Sequence, residues 1–118
     1  MKRIMLKAKI HHARVTETNL NYEGSLSLDE ELMTTADILP FEKVHIYNIS
    51  NGERFSTYLI KGEKGSGKVG VFGAAARRAR VGDTLIIVSY VILEEEETEF
   101  FMPKILIVGA DNKIVQIK

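Results

Sequence analysis

Three places in this 118-residue chain hold residues that could do chemistry. The first is Gly24-Ser25, within "LNYEGSLSLDEELM" (residues 20–33), where two strand-like pieces meet. Glycine weakens a strand, because it loses much entropy on ordering and has no side chain to pack. Its local uses there are a bulge, a turn, or a point of close backbone approach. A small backbone there also leaves the Gly24 carbonyl open to attack. The second place is "GEKGSGKVG" (62–70), which matches much of a P-loop and also G-x-G-x-x-G. Both patterns need a helix next, so that its N-terminus meets phosphates. Here "VGVFG" follows, a strand-like piece, and Val69 stands where a P-loop needs Ser or Thr for magnesium. No βαβ unit surrounds it, so a mobile hairpin loop is the expectation. The third is a scatter of polar groups, Lys9, Arg54, Thr57 and Tyr58. Taken singly, Lys9 reads as an exposed strand lysine, Arg54 as a solvated hairpin arginine and Tyr58 as cross-strand packing.

Strands must position most of these residues. Ile4, Leu6, Ala8 and Ile10 alternate with Arg3, Met5, Lys7 and Lys9, a period-two pattern. In "LSLDEELMTTADIL" the spacing of Leu28, Leu32 and Met33 turns helical, with Ser27 as N-cap and Asp29, Glu30 and Glu31 in the first turn. "KVHIYNISNGERFSTYLI" predicts a hairpin with a type I′ turn at Asn51-Gly52. "VGVFGAAARRARVGD" predicts a short strand and then a short helix. "DTLIIVSYVIL" suits a strand buried on both faces, and "PKILIVGADNKIVQIK" a hairpin turning at Asp111-Asn112. The acidic run "EEEETE" (94–99) reads as a solvated loop. The sum is a small, mostly β domain with short helices, closed as a barrel to hide its edges.

Composition narrows the function. The length favours one domain, and 45% apolar residues suffice for one core. Sixteen basic and sixteen acidic residues leave no net charge, which argues against nucleic acid as the main partner. Without cysteine there is no disulfide framework and no thiolate nucleophile, and three histidines do not make a structural zinc set. No apolar run reaches the ~18 residues of a membrane span, and the opening Met-Lys-Arg-Ile-Met-Leu-Lys does not read as a signal peptide. A cytoplasmic protein is expected.

Four stretches together resemble the aspartate 1-decarboxylase family: "MLKAKIHHARVT" (5–16), "NYEGS" (21–25), "NGERFSTY" (51–58) and "GAAA" (73–76). Their order and spacing match the family across nearly the whole chain. The resemblance implies a six-stranded double-psi β-barrel and a homotetramer with sites between subunits. It implies self-cleavage at Gly24-Ser25 into residues 1–24 and 25–118. The Ser25 hydroxyl attacks the Gly24 carbonyl, the acyl group shifts from nitrogen to oxygen, and elimination then hydrolysis leave a pyruvoyl group at residue 25. That ketone forms a Schiff base with L-aspartate and acts as the electron sink for loss of carbon dioxide, the role pyridoxal phosphate plays elsewhere. The product is β-alanine, a precursor of pantothenate. Neither pyridoxal phosphate nor a metal is implied.

The resemblance also implies roles, residue by residue. Arg54 clamps a substrate carboxylate and Lys9 adds positive charge to the site. Tyr58 donates the proton to the carbanion. Thr57 hydrogen-bonds the Gly24 carbonyl oxygen during cleavage. Gly73, Ala74 and Ala75 present backbone to the substrate, and His11 and Tyr22 lie near the cleavage point. Two positions depart from the family's usual pattern: Phe72 replaces an asparagine, and Tyr47 replaces a tryptophan while keeping an aromatic wall. The competing reading is an uncleaved, non-catalytic small β-barrel that only binds. Of such barrels the OB type is the generic case, but its basic groove and stacking aromatics are not evident here.

Overall fold

The computed structural model describes all residues, 1–118. The chain forms nine strands and one short α-helix: β1 (Lys2–Arg14), β2 (Glu17–Asn19), β3 (Ser25–Asp29), α1 (Glu30–Ala36), β4 (Lys43–Asn48), β5 (Arg54–Gly62), β6 (Val69–Phe72), β7 (Thr84–Glu94), β8 (Lys104–Val108) and β9 (Ile114–Ile117). They hydrogen-bond in the order β2-β6-β3-β5-β4-β7-β1-β8-β9. The outermost strands, β2 and β9, do not pair with each other, so the ladder is mostly antiparallel and open rather than closed by hydrogen bonds. Three parallel pairs, β2/β6, β3/β5 and β1/β8, interrupt it. Alternate residues of the long strands, such as Ile10, Leu26, Ile46, Leu59 and Ile87, are fully buried in one shared core.

β1 sits inside this order, hydrogen-bonded to β7 on one side and β8 on the other. Its ladder slips twice, at Lys7 and at His12. Each slip is a bulge that re-aims a side chain. Lys7 thereby reaches Glu42, with Nζ 3.1 and 3.0 Å from the two carboxylate oxygens. Glu42 also accepts from the Ser89 hydroxyl and, at 3.1 Å, from the Leu39 amide. Burial pushes the Glu42 carboxyl up, but the hydrogen bonds from Ser89, Lys7 and Leu39 outweigh it and hold the group below its usual range.

Several local expectations change in detail. The helix begins at Glu30, with Asp29 rather than Ser27 as its N-cap, because residues 25–29 are taken into the sheet between β5 and β6. The β4/β5 hairpin forms, but of Asn51 and Gly52 only Gly52 has positive φ (+78°), so the turn is not type I′. Side chains shape a longer loop instead: Asn48 Oδ1 accepts from the Ser50 amide and Asn51 Oδ1 from the Glu53 amide, at 2.9 and 2.8 Å. The β8/β9 hairpin turns at Asp111 and Asn112, both left-handed. The short helix after β6 is a 3₁₀ turn, Gly73–Arg77.

The glycine-rich loop is tied to the rest of the chain by hydrogen bonds. Asp29, 2% exposed, accepts the amides of Gly65 at 2.8 Å and Gly67 at 2.9 Å, besides capping the helix through Glu31. Asn112 then takes the Gly67 carbonyl at 2.8 Å and Lys113 the Gly65 carbonyl at 2.8 Å. Amides that could have cradled a phosphate are aimed at the chain's own carboxylate. Burial opposes the Asp29 charge, yet these backbone donors hold its carboxyl below the ordinary value. A depressed folded pKa stabilises the protein above the unfolded value, ~3.9, and that contribution fades as pH falls through the folded one. Asp29→Asn should therefore lower stability by about 2–4 kcal/mol at neutral pH, with the gap to wild type closing below pH ~4. Melting curves from pH 7 to pH 2 check this; a gap independent of pH contradicts it.

Candidate active site

Ser25 opens β3. It pairs with Phe72 of β6, and because Leu26 pairs with Leu59 of β5, Ser25 lies alongside Tyr58 on its other side. Its side chain is buried, 2% exposed, and the hydroxyl turns back over Gly24 to donate to the Glu23 carbonyl at 3.4 Å. Gly24 itself has an ordinary backbone. A Cβ there would meet nothing nearer than the Phe72 carbonyl oxygen at 3.8 Å and the Ala74 amide nitrogen at 4.0 Å. The fold therefore does not demand glycine at 24, and neither a turn nor close packing accounts for it. What glycine leaves at this point is an uncovered carbonyl next to a hydroxyl.

The glycine that the backbone does demand is Gly73. Its φ is +68°, and a Cβ there would stand 2.4 Å from Gly24 Cα and 2.7 Å from Gly24 N. The start of the 3₁₀ turn is thus the bed on which residues 22–24 rest, and Ala74 is its next residue. Tyr22 packs on Phe72 at 4.9 Å between ring centroids. The Phe72 ring folds back over Gly70, where a Cβ would come within 2.6 Å of it. Phe72 is seated in a place that glycine at 70 makes for it, so the apolar ring is accommodated rather than strained. Phe72→Asn should lower stability by about 1–2 kcal/mol, through loss of the Tyr22 contact and of cover over Gly70, without speeding chain cleavage. Faster cleavage at an unchanged melting temperature would contradict that.

Tyr58 is partly exposed and its hydroxyl has no hydrogen bond within the chain. Phe41 flanks it, with ring centroids 6.3 Å apart. Phe41 has a φ of +69°, and it is held there by its amide donating to the Leu59 carbonyl at 2.7 Å while Leu59 donates to the Glu42 carbonyl at 3.1 Å. The Glu42–Lys7–Ser89 network therefore anchors the segment beside Tyr58. Thr57 lies on the opposite face of β5 from Tyr58 and makes no hydrogen bond to Gly24 in the intact chain.

The other expected residues lie further along the same sheet. Arg54 pairs with Tyr47, and its guanidinium carbon stands 4.5 Å over that ring. Tyr47 hydrogen-bonds Tyr90 hydroxyl to hydroxyl at 2.8 Å. Lys9 pairs with Val88 of β7, and His11 with Ile86. His11 stacks on His12 at 3.8 Å, and its Nδ1 is buried without a partner. Burial first, then the charges of His12, Lys9 and Lys118, lower its pKa, so the imidazole is neutral near pH 7. The structure thus gathers Tyr22, Gly24, Ser25, Tyr58, Gly73 and Ala74 in one place and sets Lys9, His11 and Arg54 apart from them. Tyr90 escaped the sequence reading, since it lies in an almost continuous apolar run; Asp29 was read only as a first-turn acid of the helix, and Gly70 only as the last glycine of the phosphate-like motif. A groove of about 940 Å³ runs past His12, Arg14, Ser50 and Asp111 and contains none of the expected site residues. No group of three or more acidic or histidine side chains is placed to hold a metal ion.

The sequence match extends along the same segments. The family model described as "Aspartate decarboxylase" matches residues 1–115. Among curated proteins, the aspartate 1-decarboxylase of Ralstonia pickettii is 53% identical over 118 residues, covering all of this chain and 98% of the relative. That of Thermoanaerobacter pseudethanolicus is 53% identical over 117 residues, covering 99% of this chain and 100% of its own. That of Caldicellulosiruptor saccharolyticus is 58% identical over 113 residues, 96% of this chain and 88% of its own. Identity above one half along practically the full length of both partners leaves one conclusion: the chain belongs to the aspartate decarboxylase family.

Proposed function

We propose that this chain is an aspartate 1-decarboxylase that converts L-aspartate to β-alanine and carbon dioxide, for pantothenate synthesis in the cytoplasm, after cutting itself between Gly24 and Ser25. The observation that carries the reading is Gly24, a glycine the backbone does not need, lying on Gly73 with the Ser25 hydroxyl turned over it. In the cleavage, Ser25 Oγ bonds to the Gly24 carbonyl carbon, the peptide C–N bond breaks, and the freed nitrogen of residue 25 takes the proton. Loss of the Ser25 Cα proton then expels the Gly24 carboxylate, and water displaces the nitrogen as ammonia. Residues 1–24 remain bound as one chain and 25–118 as the other. Thr57 is assigned to the Gly24 oxygen as it gains charge. His11 and Tyr22 are assigned to the same processing site.

The surroundings of residue 25 fit a small planar group there: the Gly73 bed has no side chain to fill the space, and the Ala74 amide borders it. A pyruvoyl group supplies a ketone that takes up the substrate amine and draws electrons from its α-carbon. The protein's own groups do the rest. The Gly73, Ala74 and Ala75 backbone lines the substrate. Arg54 and Lys9 hold carboxylate charge, Arg54 as a planar fork of donors. Tyr58, its phenol free of other hydrogen bonds, delivers a proton to the α-carbon.

Distances within one copy support the tetramer with shared sites. Arg54 is four residues from Tyr58 along β5, about 13 Å, and Lys9 lies three strands from β5, about 14 Å. Side chains on the outer face of a curved sheet diverge further. Spacings of that size favour a second copy as the source of the cations that meet a four-carbon substrate held at residue 25. The parallel β1/β8 and β3/β5 pairs among antiparallel neighbours, around one core, support a double-psi β-barrel. Intact-mass measurement of the purified protein, with an assay for β-alanine, tests the whole reading. Two chains, of 24 and 94 residues, and β-alanine from aspartate are expected; one uncut chain and no product favour a binding barrel instead.

A further inference from the structure

We propose that Tyr90 is a positioning residue for Arg54, acting through Tyr47. The inference rests on the reading of Arg54 as the carboxylate-binding group. Arg54 and Tyr47 stand directly opposite each other on antiparallel β5 and β4, with the guanidinium 4.5 Å over the ring. That is well inside the range of a cation–π contact. A guanidinium lying on a ring has its flat face occupied and its N–H edge open, and the edge is what a carboxylate takes with two parallel hydrogen bonds. Arg54 spends none of that edge on the chain's own acids: the ion pairs involve Arg3, Lys7, Lys61 and Arg78 only.

The direction in which the edge points follows the plane of the Tyr47 ring. That plane is pinned at its far end by the 2.8 Å hydrogen bond to Tyr90. Tyr90 is in turn braced by His45, edge to face at 5.2 Å, and by its place opposite Leu6 on β1. Two phenols joined this way fix a ring that the arginine alone would leave free to tilt. The bond is also durable in pH: the Tyr47 hydrogen bond first, then burial, hold the Tyr90 phenol above its ordinary pKa, against the pull of Arg54. The Tyr90 hydroxyl therefore keeps its proton, and its place in the bond, to higher pH than an unperturbed phenol would.

Steady-state kinetics on fully cleaved protein with L-aspartate test this. Tyr90→Phe keeps the ring and its contact with His45 and loses only the pin. It should raise KM about three- to tenfold, the worth of one neutral hydrogen bond, with kcat within about twofold and cleavage unchanged. Tyr47→Phe removes the same bond from the other side and should match it. The double variant should be no worse than either single one, since all three lack one shared interaction. A purely structural role would instead lower melting temperature and kcat together. Unchanged KM in Tyr90→Phe, or effects that add in the double variant, overturns the positioning role provided Arg54→Ala does raise KM. If Arg54→Ala leaves KM unchanged, the carboxylate role of Arg54 is what has failed, and the inference falls with it.

Discussion

Ser25→Ala gives one uncut chain of 118 residues, however long it is incubated, and no β-alanine from aspartate. The expected loss is complete, because the substitution removes the atom that attacks. The Ser25 hydroxyl is the side-chain oxygen turned over Gly24, and the Thr57 hydroxyl is assigned to donate to the Gly24 oxygen, not to attack its carbon. The fold should hardly notice. The serine is 2% exposed, alanine fits its space, and the one hydrogen bond lost is a long one at 3.4 Å. Melting temperature within a few degrees of an uncut wild-type control, together with a single mass, is the result to look for. Two chains from a Ser25→Ala sample would mean that another group cuts the peptide, and the assignment of residue 25 would go.

Tyr58→Phe separates the two halves of the chemistry. Proton delivery by a placed side chain contributes ~10²–10⁴ in rate, so turnover should drop by that factor. Chain cleavage should be unaffected, since the phenol takes no part in the attack on Gly24. Stability should change by less than ~0.5 kcal/mol, because Tyr58 is partly exposed and its hydroxyl gives up no hydrogen bond within the chain. Carbon dioxide release from cleaved Tyr58→Phe is the measurement. A rate near that of the unaltered protein would make Tyr58 a packing residue beside Phe41 and hand proton delivery to water or another group.

Strand content and the two hairpins were legible from the sequence because they are local: β-branched runs bracket Asn51-Gly52 and Asp111-Asn112. Where expectation and structure part, a distant segment has intervened. Ser27 has the chemistry of an N-cap, but β5 and β6 claim residues 25–29, and Asp29 inherits the cap. "GEKGSGK" looked free because its partners, Asp29 and Asn112, lie 36 or more residues away. The site was legible where glycine, serine and motif spacing marked it. It was not where it depends on pairing across the sheet. Nothing near Tyr90 announces that its hydroxyl meets that of Tyr47, 43 residues earlier. Phe72 made sense only with the ring lying over Gly70, two residues before it, a fit set by how the side chain turns rather than by residue type.

The place of β1 inside the strand order has a consequence for the life of the protein once it is cut. The shorter fragment would carry the whole of β1, clasped between β7 and β8, and with it Ala8, Ile10, Ala13 and Val15 of the core. Scission would remove no strand from the sheet, so the native state would persist. The return journey would change in kind. An intact chain can form its own fold before it meets another copy. Two fragments must first collide, and a 24-residue peptide stripped of its partners has no core of its own to fold around. Recovery after unfolding would then depend on concentration and fail in dilute solution. Cutting would turn a reversible folder into one whose survival is governed by how slowly it opens.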